Sequence, residues 1–110
     1  SIYSRKINIM KLTNEFQPIR DWAQNKGIYD KGDLKTQSIK FYEEAGELAK
    51  AVLNEDTEEI LDAIGDSIVV LTSVAHFAGL SVEECINTAY YVIAKRKGQM
   101  HNGTFVKDSE

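Results

Sequence analysis

The chain is short of the residues that break or staple structure. Among its 110 residues there are one proline, seven glycines and a single cysteine, Cys85. So few helix breakers leave room for long uninterrupted helices, because proline costs about 3 kcal/mol and glycine about 1 kcal/mol in a helix interior. A lone cysteine excludes an internal disulfide and fits a reducing, cytoplasmic setting. Positive charge is in the minority too: 13 Lys and Arg stand against 17 Asp and Glu, giving a net charge of −4. No global basic field therefore favours nucleic acid as a partner. No apolar run reaches the roughly 18 residues of a membrane span, and the first residues lack the apolar core of a signal peptide. Cysteine clusters and paired histidines, the usual zinc ligands, are missing as well.

What remains is ordinary for a folded domain. The chain is 43% hydrophobic and 27% charged, which argues against disorder. One domain of this size buries roughly 65% of its unfolded surface. Residues 1–11 (SIYSRKINIMK) read as an N-terminal extension without a clear period; two readings stand for it, an appendage ahead of a start at Met10 or a short docking strand. Residues 12–98 carry the helical domain and 99–110 a tail. Thr13 is a plausible N-cap, Pro18 falls in the first turns where it is tolerated, and Phe16, Ile19, Trp22 and Ala23 form a stripe ending near Gly27.

Asp33 caps a second helix over about 34–53, whose expected core face is Ile39, Phe41, Tyr42, Ala45, Leu48, Ala49 and Val52. A third helix, over about 56–78, turns apolar on nearly every side from Ser67 to Ala78, so it is expected to be central and to need a partner subunit over one face. Ser81 opens a fourth with a capping box to Glu84. Cys85, Ile86, Ala89, Tyr90 and Ile93 make its inward face, Lys95, Arg96 and Lys97 its last turn, and Gly98 its close. The tail holds a turn signal at Asn102-Gly103 and room for a short extended segment. The fold class is all-α, with four principal helices.

Chemistry concentrates between Lys40 and Asp66, which hold nine of the seventeen acidic residues. On a helix, Lys40, Glu44 and Glu47 fall within about 60° of one another, with Glu43 alongside; Glu59, Asp62 and Asp66 share a similar arc of the next helix. An antiparallel pair can turn both stripes into one cleft. Clustered carboxylates need a cation, and hard oxygen donors suit Mg²⁺ or Mn²⁺. Glu55, Asp56 and Glu58 read instead as a solvated turn and helix start. For Asp62 and Asp66 a metal and a salt bridge to Lys40 or Lys50 are both open. Gly46 and Gly65 each precede an acid inside a helix, which suggests close backbone approach there. Cys85 and His76 read as core residues, and His76 lacks the Glu-x-x-His spacing of a di-iron bundle.

The segments EEAGELAKAV and DAIGDSIVVLTSVA resemble the MazG-like group of all-α nucleoside triphosphate pyrophosphohydrolases, whose pattern is EExxE, a spacer and ExxD. The ending AYYVIAKRKGQMHNGTFVK resembles the C-terminal segment of small, often phage-associated, members. The resemblance spans residues 12–107. It implies Mg²⁺ held by Glu44, Glu47 and Asp66, with Glu43 beside them. Ala63 stands where the pattern has glutamate; Asp62 is the nearest substitute, and a one-residue shift turns the side chain by about 100°.

The resemblance further implies hydrolysis of a (d)NTP to the monophosphate and pyrophosphate, with Glu43 or Glu47 taking the proton of the attacking water. Lys40, Lys95 and Arg96 are candidates for phosphate, Asn87 and Tyr91 for the nucleotide, and Trp22 for the base or for a core anchor. A homodimer or homotetramer is expected. The same superfamily includes dimeric dUTPases and phosphoribosyl-ATP pyrophosphatase. The alternative, from another class, is a helical interaction module that keeps the bundle without efficient catalysis.

Overall fold

The computed structural model describes residues 16–109, so the readings of residues 1–11 and of Thr13 lie outside the described residues. Among these residues five helices precede a hairpin: α1 (Phe16–Asn25), α2 (Ile28–Lys31), α3 (Leu34–Leu53), α4 (Thr57–Phe77) and α5 (Val82–Ile93), then β1 (Gly98–His101) and β2 (Thr104–Lys107). The described residues are all-α apart from that terminal hairpin.

Local signals set the boundaries. Asp33 caps α3: the Thr36 N–H donates to its Oδ1 at 2.8 Å and the Thr36 hydroxyl to its Oδ2 at 3.0 Å. These bonds hold the Asp33 carboxyl below the usual aspartate range. Between α3 and α4 the chain reverses through Asn54 and Glu55, the latter at φ 55°. Asp56, exposed at the head of α4, is its N-cap and accepts from the Glu59 N–H at 3.2 Å. At α5 the capping box forms in both directions, with Glu84 N–H to Ser81 Oγ and Ser81 N–H to Glu84 Oε1 each 3.1 Å. Asn102 and Gly103, at φ 47° and 84°, make the two-residue turn that pairs Met100 with Phe105. Positive φ at both positions matches the right-handed twist of the strands.

The core is the antiparallel α3–α4 pair, the most extensively packed elements of the fold. Ala51, Ala63, Val70 and Ala75 are buried, as are Thr72 and Ser73. Thr72 is accommodated by donating its hydroxyl to the Ile68 carbonyl at 2.7 Å. Ala23 of α1 is fully buried, while α2 packs Tyr29 flat on His76, with ring centroids 3.6 Å apart, and edge-on to Phe77. Gly32 permits this seat, because a Cβ there would press within 2.6 Å of the Ile28 carbonyl and 3.2 Å of Phe77. The α4 helix has the length and apolarity of a membrane span. The sequence shows no unbroken run of that length because acids punctuate the first half of α4.

Several expected core positions are not covered. Ile39, Tyr42 and Val52 are 62%, 74% and 54% exposed. Ala49 is exposed too. On α5 every residue from Glu83 onward is exposed, Cys85, Ile86, Ala89, Tyr90 and Ile93 included, because the helix packs on α4 far less than α3 does. His76 is exposed rather than core. Gly46 and Gly65 face open space, since a Cβ at either would meet nothing within 4 Å, so no close backbone approach explains them among the described residues. Lys95, Arg96 and Lys97 lie beyond the last turn: α5 ends at Ile93 with Ala94 as its C-cap, and Gly98 belongs to β1.

One long-range tie fixes α5 to α1. Arg20 grips Glu83 with two parallel hydrogen bonds of 2.8 Å. The paired guanidinium holds the Glu83 carboxyl below the usual range and raises the Arg20 guanidinium in turn.

Candidate active site

The α3–α4 seam carries two consecutive clefts. The first, about 270 Å³, is lined by Trp22 and Ile28 from the N-terminal helices, Gln37, Lys40 and Glu44 of α3, and Asp66, Val69, Val70 and Ser73 of α4. Helical spacing explains the set. Gln37, Lys40 and Glu44 lie within about 60° on α3, and Asp66, Val69, Val70 and Ser73 within about 100° on α4. Antiparallel pairing then places the early part of α3 opposite the later part of α4. The second cleft, about 340 Å³, lies towards the turn and is lined by Glu47, Lys50, Asn54, Asp56 and Glu59, with Ala51 between them.

The acidic stripes therefore meet across one seam at successive levels. Glu44 and Asp66 share the first cleft. Glu47, three residues or about 4.5 Å further along α3, opens on the second with Glu59. Asp62 is exposed on α4 one turn before Asp66. Among the described residues, no group of three or more His, Cys, Asp and Glu side chains draws close enough to cage a metal. Lys40 supplies the local positive charge. Its Nζ lies 3.7 Å from Glu44 and 3.6 Å from Glu43, and the Glu44 side chain is only 15% exposed whereas Glu43 is 64% exposed.

Trp22 is 47% exposed and forms a wall of the first cleft. Behind Ser73 lies a polar feature that sequence reasoning missed. The Tyr29 hydroxyl is buried and reaches hydrogen-bonding geometry with no described residue. Burial pushes its phenol up, opposed by the neighbouring Ser73 hydroxyl. The short segment between Gly27 and Gly32 reads as a loop from sequence and folds as α2, too short to carry a periodic signal, so only the fold reveals Tyr29.

The α5 candidates lie elsewhere. Asn87 and Tyr91 are exposed on α5. The Lys95 ammonium sits 3.8 Å over the Tyr91 ring, an exposed cation–π contact. Lys95, Arg96, Lys97 and Lys107 line a separate cleft of about 470 Å³ at the junction of α5 and the hairpin. Within one copy these groups do not join Glu44 and Asp66. Arg20 and Glu83, 63 residues apart, also went unread, since nothing in a sequence without a second copy or relative links them.

Two central helices thus face each other with carboxylates and a lysine along one seam. The phosphoribosyl-ATP pyrophosphohydrolase family profile matches residues 16–90. The chain belongs to that family of pyrophosphohydrolases. It is also similar to an uncharacterized 18.2 kDa protein in the rep-hol intergenic region of Haemophilus phage HP1 (strain HP1c1), with 35% identity over 57 residues. That stretch is 52% of this chain and 35% of the phage protein, so the match spans about a third of that relative's length. No solved structure matches the chain.

Proposed function

We propose that the protein is a divalent-metal-dependent pyrophosphohydrolase that cleaves nucleoside triphosphates to monophosphate and pyrophosphate. The observation that carries this reading is the first cleft, which holds Lys40, Glu44, Asp66 and Trp22 together, in a chain of pyrophosphohydrolase family. The donor set fits Mg²⁺ or Mn²⁺: these ions take oxygen ligands and are commonly bound by one or two carboxylates together with water and substrate phosphate. Glu44 and Asp66 would hold the ion, with Glu47 and Asp62 as the adjacent donors along the seam. When bound, it supplies neutralisation of phosphate charge and an activated water.

The chain's own groups then have distinct tasks. Lys40, already paired with Glu43 and Glu44, exchanges those partners for phosphate oxygens. Glu43 or Glu47 accepts the proton of the attacking water. Trp22 offers a face for the base. Asn87, Tyr91, Lys95 and Arg96 of one copy can meet a nucleotide in this cleft only from a second copy.

A homodimer or homotetramer suits the uncovered surface. Leu61, Ile64, Ile68 and Leu71 recur at helical spacing along α4 while 39–48% exposed, and Ile86 and Ile93 of α5 are 49% and 53% exposed. The radius of gyration of 16.4 Å also exceeds the roughly 13 Å of a self-contained chain near 100 residues. A reducing cytoplasm is the setting we assign, on the lone cysteine.

A second reading draws on the same uncovered faces and on the lack of a three-acid cluster among the described residues: a helical interaction module without turnover. Pyrophosphate release from a panel of dNTPs, with Mg²⁺ and with EDTA, separates the two. Metal-dependent release that disappears in Asp66→Asn supports the hydrolase. A stable oligomer with no release from any nucleotide supports the module.

A further inference from the structure

The first cleft has two chemically different ends. Lys40, Glu44 and Asp66 make one; Trp22, Gln37 and Ser73 line the remainder. Gln37 stands one turn before Lys40 on α3, about 60° around the helix, so a ligand whose anion rests on Lys40 extends past Gln37. The Gln37 residue is half-buried and its backbone N–H is spent on the Asp33 carbonyl at 3.1 Å. Its carboxamide has no hydrogen-bond partner among the described residues, whereas Gln17 and Gln24 of α1 both donate within the protein. That carboxamide is open to the cleft, since Tyr29 carries the one buried polar side-chain atom without a partner among the described residues, and it can pair with a ligand edge that both donates and accepts. The indole of Trp22 stands in the same cleft as a flat apolar wall.

Resting on the nucleotide reading above, we propose that Gln37 is the specificity-determining residue of this cleft. Its carboxamide meets the hydrogen-bonding edge of a nucleobase stacked on Trp22, while Lys40 receives the phosphates. Glutamine pairs in this two-bond manner with base edges that present a donor beside an acceptor, and such a pair discriminates between bases by about tenfold to a hundredfold. Ser73, 2% exposed at the cleft floor, limits how deep the ring can go.

The experiment uses a probe built into the chain, since Trp22 is its one tryptophan. Trp22 fluorescence is titrated in EDTA with each of the four deoxynucleoside monophosphates, with ribonucleotide counterparts, and with tripolyphosphate, which has no base. Wild-type protein is expected to show base-selective quenching. Gln37→Leu is expected to weaken the preferred base about tenfold to a hundredfold while leaving tripolyphosphate affinity unchanged. Gln37→Glu, which replaces the donor by a second acceptor, is expected to reorder the bases, so the outcome does not rest on one variant.

Equal quenching by all bases in the wild type, a Gln37→Leu loss shared by tripolyphosphate, or a change confined to ribose against deoxyribose overturns the proposal. Base-selective quenching without pyrophosphate release in Mg²⁺ keeps Gln37 as the reader and sinks the hydrolase. Release without any dependence on Gln37 does the reverse.

Discussion

The α3–α4 pair and the α5–hairpin arm are built from similar residues and end in opposite states. Both have apolar faces at helical spacing and sound caps. In the pair, alanines at positions 51 and 63 let two long helices close on each other, and the carboxylates are carried to the rim of that contact. In the arm the larger Ile86, Tyr90 and Ile93 stay about half-exposed or more, with no helix closed over them among the described residues. Periodicity thus says that a face will be covered, and leaves open by what. The acidic seam depends on the first region alone, whereas the basic cluster of Lys95, Arg96, Lys97 and Lys107 hangs on the second.

Substitutions can press on this contrast. Glu44→Gln and Asp66→Asn, on the closed pair, are expected to lower kcat/KM for pyrophosphate release by at least about a hundredfold, the scale of a lost charge-stabilising or acid–base group. Retention of the helical circular dichroism spectrum would show that the loss is chemical. Near-wild-type turnover in both variants would remove the first cleft from the chemistry.

Packing comes next. Ala63→Leu should destabilise by about 1–3 kcal/mol in urea denaturation, because a buried alanine between packed helices has no room for three more carbons. Ala89→Leu on the exposed arm should cost far less in the monomer. An equally large cost there, together with a shift to smaller mass in sedimentation, would identify α5 as covered by another copy. Gly46→Ala and Gly65→Ala face open space and should each gain up to about 1 kcal/mol. Stability gained with activity lost would mean that a ligand or a second copy approaches those backbones.

Ser81→Ala should cost about 1 kcal/mol by removing one half of the α5 capping box. The smallest effect is the most diagnostic of how the arm is attached. Glu83 has its folded-state pKa depressed by Arg20. Its contribution is therefore fully present above the ordinary glutamate range near about 4.3 and fades as pH falls through the lowered value. Asp33 behaves alike through its cap bonds. Melting followed from pH 7 down to pH 3 should lose part of its acid limb in Glu83→Gln. An unchanged profile would mean that the pairing adds nothing in solution, as many exposed ion pairs do not.

Local rules made much of the fold legible. The caps at Asp33 and Ser81, the ends of α3 and α4 and the Asn102-Gly103 turn all follow from residues within one or two turns of each other. So does the sharing of a cleft by Lys40 and Glu44, which lie on one helix. That Asp66 joins them needs only an antiparallel reversal, which the short turn at Asn54 enforces. What stayed hidden was non-local or depended on cover. The Arg20–Glu83 pairing spans 63 residues. Cys85 and His76 looked like core because apolar neighbours flank them, yet both are exposed, and the one cover His76 finds is the Tyr29 ring stacked on it. Glu47 belongs to the same arc as Glu44, and only the rise along the helix moves it to the next cleft.

The Arg20–Glu83 grip has a mechanical consequence. Arg20 precedes Trp22 by about half a turn of α1, and its other end is anchored at the first turn of α5. The two act as a tie rod between the wall of the seam and an arm with little other purchase on the body. A shift of that arm is therefore expected to reach the helix that carries Trp22, which couples the wall of the first cleft to the far end of the described residues.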